Sequence, residues 1–180
     1  MTDNLIDKRA SMASAPMKYN PDGSVDWGNM WDTFCVLASE GGPPHRDTML
    51  LAPPDVDAQS AEYLAVVEEI VRGIREVSGL VAHASEPGWV AVECHSPAMA
   101  RWLYENIEQE NIAAKAEGNL LFVPAGAHFT VKGEIKNVIT GVAKTTHYWY
   151  EHLPPDVKRT LALQEQFSQV TRRLTGWLRR

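Results

Sequence analysis

Apolar residues recur every three or four positions over Trp27–Ala38, Tyr63–Val77, Met99–Ile107, Ile135–Leu153 and Leu163–Trp177. That repeat is the mark of helices that bury one face. Between them lie short runs: Thr48–Leu51, Leu80–Ser85, Trp89–His95, Ile112–Ala116 and Leu120–Val123. Their length suits strands. In the third run Val90, Val92 and Cys94 point one way, while Trp89, Ala91, Glu93 and His95 point the other. Turn chemistry separates the runs. Asn20-Pro21-Asp22-Gly23 precedes the first helix, which Ser24 or Asp26 caps, and Gly41-Gly42-Pro43-Pro44 stops it. Asp57 is placed to cap the second helix, and Ser96-Pro97 opens the third. Glu86-Pro87-Gly88 and Gly118-Asn119 read as hairpin turns. Pro154-Pro155 divides the last two helices.

From Asp47 onward the order is strand, helix, strand, strand, helix, strand, closed by a further hairpin strand. It predicts an α+β fold with a ferredoxin-like βαββαβ sandwich core. Residues 1–17 form a polar N-terminal arm, 18–46 a helix with its Gly/Pro loop, and 47–130 the core. Residues 131–180 form a C-terminal helical pair packed on the core or on a partner. In the last helix Leu163, Phe167, Val170, Leu174 and Trp177 step by four and three, a seam of coiled-coil type. It fits either the preceding helix, a second copy or a protein partner.

The net charge is −6, but it is unevenly spread. From Leu153 to Arg180 six basic residues face two acids, a net of +4, which leaves −10 for the rest. An acidic body argues against nucleic acid as a partner, and a basic terminal helix suits an acidic surface. No apolar run reaches the roughly 18–20 residues that a membrane span needs. Two distant cysteines, Cys35 and Cys94, predict reduced thiols and a cytoplasmic protein.

The densest chemistry lies in Lys144-Thr-Thr-His147-Tyr148-Trp149-Tyr150-Glu151-His152. On an α-helix His147 and Glu151 share a face, as do Lys144 and Tyr148, and Tyr148 and His152. Two such ligands can hold a divalent metal if a third comes from elsewhere. His95, His45 and His128 are the candidates for it. The rings also suit a stacked cofactor such as a tetrapyrrole, with His147 or His152 as axial group and Tyr148 and Lys144 lining it. Arg46, after the glycine-proline loop, is the candidate anion clamp. Lys136, Thr140 and Lys144 line up as a polar stripe on the same helix. Cys94 and His95 are neighbours on a strand and face opposite ways, so they do not form a catalytic dyad.

Three functional classes follow. A non-catalytic binding or assembly subunit of a larger cytoplasmic complex fits the charge asymmetry and the seam. A metal- or tetrapyrrole-dependent protein or enzyme would use the helix 134–153. A small-molecule-sensing regulatory domain is the third class.

Overall fold

The computed structural model describes residues 15–30 and 46–177, with side chains as far as 168 and at 171. Four strands form one antiparallel sheet. They are β1 (Ala82–Ala84), β2 (Trp89–Glu93), β3 (Lys115–Glu117) and β4 (Leu120–Pro124), in the order β1-β2-β4-β3. The sheet is therefore two hairpins joined through their inner strands. In that central pair Val90 lies opposite Val123 and Val92 opposite Leu121. The hairpins turn at Gly88 (φ 90°) and Gly118 (φ 58°), a backbone region open to glycine at little cost.

A helix precedes each hairpin. The first, α1 (Ala61–Ser78), starts at Ser60, whose hydroxyl accepts the Tyr63 amide at 3.3 Å. Asp57, the expected cap, instead accepts the Gln59 amide in the turn before it. Of the expected stripe, Tyr63, Val66, Ile70 and Ile74 are buried and Val77 is half-buried. The second, α2 (Pro97–Gln109), is capped by Ser96 with Pro97 in its first turn, as the sequence indicates.

The third helix, α3 (Lys136–His147), lies between α1 and α2; Val131–Ile135 leads into it through a kink with non-helical dihedrals at Gly133, and a π-helical turn, Tyr148–His152, extends its far end. It is enclosed on nearly all sides. Lys136, Thr140 and Thr146 are as buried as Val138, Ile139 and Val142. Of the expected polar stripe, Lys136 and Thr140 are thus inside and Lys144 is half-buried. The hydroxyls of Thr140, Thr145 and Thr146 donate to carbonyls three and four residues back. The Lys136 ammonium donates to the carbonyl of Ala15, and burial holds its pKa below the ordinary lysine value.

The core lies on the helix-covered face, where Val90, Val92, Cys94, Leu121 and Val123 meet Ile70, Ile74, Met99, Leu103, Ile139 and Val142. On the other face His83, Ala91, Phe122 and Lys115 form one row across the sheet. Ala91 and Phe122 are buried within it, and the Lys115 ammonium sits 4.0 Å from the centre of the neighbouring Trp89 ring.

The α+β class stands. The strand that the ferredoxin-like reading places at 48–51 contributes a single parallel bridge, Leu50 to Ile112, and lies outside the four-stranded sheet. Only Leu50 of that run is buried, Met49 and Leu51 are exposed, and prolines 53 and 54 cannot continue a ladder. Asp26 does cap a helical turn at 27–30, accepting the Asn29 amide at 3.0 Å. The rest of that expected helix, the loop Gly41–His45, Cys35 and most of the N-terminal arm lie outside the described residues.

The last helix, α4 (Pro155–Trp177), settles against α2 through half-buried Leu161 and Ala162. The expected seam starts on its other side: Leu163 and Phe167 are 56% and 73% exposed. The side chains of Val170, Leu174 and Trp177 lie outside the described residues. Among the described residues no helix is long and apolar enough to cross a membrane.

Candidate functional site

Of the predicted site residues, Lys144, His147, Tyr148, Glu151 and His152 lie together at the end of α3, where His147 and His152 form a pair that the sequence reading does not give. The π-helical turn closes with the Leu153 amide donating to the Tyr148 carbonyl at 3.0 Å, a five-residue step. At such a turn the backbone hydrogen bond steps by five residues, which swings the residue five along toward the face it would leave in an α-helix. His147 therefore meets His152, their Nε2 atoms 3.1 Å apart and their rings edge to face with centroids at 4.9 Å. Glu151 is exposed and close enough for its charge to favour protonation of His147. Burial and the neighbouring His152 outweigh it, and the His147 pKa lies below the ordinary histidine value.

Two expected pairs do form. Tyr148 lies against His152 with ring centroids 5.0 Å apart. Lys144 and Tyr148 line one groove of about 230 Å³, with Trp102, Asn106, Gln109 and Glu110 from α2 and the loop after it. At the groove the Lys144 ammonium is paired with the Glu110 carboxylate, both side chains nearly buried. Glu110 and Trp102, which packs on Trp149 at 5.7 Å, carry no sequence signal for this role. Only the packing of α2 on α3 brings them here.

His95 comes to Tyr150 instead of the histidine pair. Its Nδ1 lies 2.9 Å from the phenol oxygen, so the tyrosine O–H donates when Nδ1 carries no proton. Arg46 is elsewhere. Its Nε donates to the Thr48 carbonyl, and its charge is felt by Glu134, roughly 20 Å along the helix from His147 at 1.5 Å per residue. His45 lies outside the described residues. Among the described residues no group of three or more His, Cys, Asp or Glu side chains is arranged to hold a metal.

The groove is smaller than the roughly 300–1,000 Å³ of pockets that enclose drug-sized ligands. It offers room for a small polar group, and neither His147 nor His152 lines it.

Cys94 is buried, and burial pushes its thiol up to about 12. A Cys35→Ser variant at pH 8 is expected to react with iodoacetamide only as fast as it unfolds. Rapid alkylation of the folded protein would show instead that Cys94 is open to solvent.

No protein-family model matches this chain, and no curated protein or solved structure matches it.

Proposed function

We propose that this chain is a non-catalytic assembly subunit that receives an amphipathic helix of a partner protein on the outer face of α4. The observation that carries the reading is the exposure of Leu163 and Phe167, one helical turn apart, on a helix whose opposite face is seated on α2. Side chains of that size left in water one turn apart are the anchors of helix-in-groove and helix-on-helix recognition. The sequence continues the same spacing through Val170, Leu174 and Trp177.

Charge selects the partner. The sequence puts Arg172 and Arg173 on this helix and Arg179 and Arg180 just after it. A second copy of this basic segment brought alongside in parallel would add like charge, and acidic flanks on a foreign helix would offset it. A ferredoxin-like origin of the scaffold and a cytoplasmic setting belong to the same proposal. Their support is the run of helices on one face of an antiparallel sheet and the chain's two widely separated cysteines.

The test compares wild type with a Leu163→Glu/Phe167→Glu variant by light scattering and by affinity capture from extract of the source cells. Identified captured proteins are scored by their dependence on the two residues and on salt. The expected result is a monomer that retains an acidic helical protein. The variant should lose about 2 kcal/mol or more of that binding, roughly thirtyfold, with its melting temperature unchanged. A wild-type dimer that the variant abolishes would move the occupant to a second copy. Capture that is indifferent to both residues would sink the reading.

A further inference from the structure

We infer that His147 and His152 form a two-histidine binding site for a divalent first-row transition ion, built by the π-helical turn at the end of α3. The argument starts from distance. Two Nε2 atoms 3.1 Å apart can share one proton or one cation between them. With metal–nitrogen bonds of about 2.0–2.1 Å, that separation corresponds to a nitrogen–metal–nitrogen angle of roughly 95–100°. This lies between the square and tetrahedral limits, within reach of Cu²⁺, Ni²⁺ and Zn²⁺, the ions that imidazole favours.

The surroundings support the arrangement. Tyr148 packs against the His152 ring and restricts its swing. Glu151 places a negative charge near His147, which offsets part of the cation's charge. His152 is exposed and His147 half-buried, so water can complete the coordination shell. No third protein ligand is required, and the inference does not depend on what binds α4.

The geometry also separates this site from a helical pair four apart. An unbroken α-helix would carry His152 round the axis from His147 and leave Glu151 facing it. The five-residue step brings the second imidazole into place.

The experiment uses the full chain without a polyhistidine tag, titrated with Ni²⁺ and Zn²⁺ by calorimetry and with Cu²⁺ by electron paramagnetic resonance. Wild type is expected to bind one ion with two nitrogen donors. His147→Ala and His152→Ala should each weaken binding at least as much as loss of an outer-shell partner does, roughly 10–100-fold. A Glu151→Gln variant should bind with a smaller loss. Circular dichroism on each variant separates lost ligation from lost folding, and a His152→Gln variant replaces the ring if alanine unsettles the turn. Binding that is equal in wild type and in folded His147 and His152 variants would assign the ion to other histidines and overturn the inference. The same holds if wild type takes up none of the three ions.

Discussion

Lys144→Met is expected to destabilise the protein by about 3 kcal/mol, the cost of breaking a buried ion pair from one side. Its partner Glu110 is the C-terminal cap of α2, so the carboxylate sits at the negative end of that helix's dipole. With side-chain exposures of 13% and 10%, neither member can turn to bulk water without opening the contact between α2 and α3. Removing the ammonium takes away the charge that offsets the carboxylate's helix-end repulsion and poor solvation. Removing both charges should relieve this, so Lys144→Met/Glu110→Leu is expected to recover most of the loss. Urea unfolding of the four proteins in the cycle decides it. If the double variant loses the sum of the two single losses, the pair is not coupled and the groove is held by packing alone.

Gly73→Leu is the second large effect, expected at about 3 kcal/mol or more from overpacking. A methyl group built on Gly73 would lie 2.2 Å from Ile139 Cδ1 and 3.1 Å from Trp27 Cδ1, all within the core. This glycine lets α1 approach α3. Alanine sharpens the test, because it gains roughly 1 kcal/mol of helix propensity over glycine. A net loss of about 1–2 kcal/mol for Gly73→Ala is expected. Ile139→Val removes the atom at 2.2 Å, so it should cost less in the Gly73→Ala background than alone. Thermal unfolding of the set reads both signs. A stabilised Gly73→Ala protein would mean that the two helices part without penalty.

Local signals told most where they had one physical cause. Tyr63, Val66, Ile70 and Ile74 are buried as their spacing requires, and Ser96-Pro97 starts a helix. Gly88 and Gly118 turn the hairpins, and Val90, Val92 and Cys94 enter the core. The signals failed where tertiary contact overrides local pattern. Lys136 and Thr140 read as a polar stripe, yet α3 is packed on so many sides that its threonines bond their own backbone. Thr48–Leu51 read as a strand, but only Leu50 finds the core. For the site, the residues were legible and the register was not. His147 and Glu151 fit an α-helical step, and nothing in the sequence of 144–152 announces the extra residue of a π-helical turn. The last helix has apolar residues on two sides, and their spacing alone does not say which side is taken by α2.

The sheet bears on how the protein can meet others. Its outermost strands, β1 and β3, have three residues each, while the inner strands have five. On β3 two of the three residues are charged, Lys115 and Glu117. Unpaired backbone donors and acceptors are thus few, and charged side chains flank them on one side, the means by which sheets escape fusing end to end into fibrils. A chain extended alongside this sheet would gain only a few rungs of hydrogen bonding before its template ran out. Aggregation through β-ribbons is therefore disfavoured by the brevity of the edges, which leaves helical surfaces as the route to stable contact.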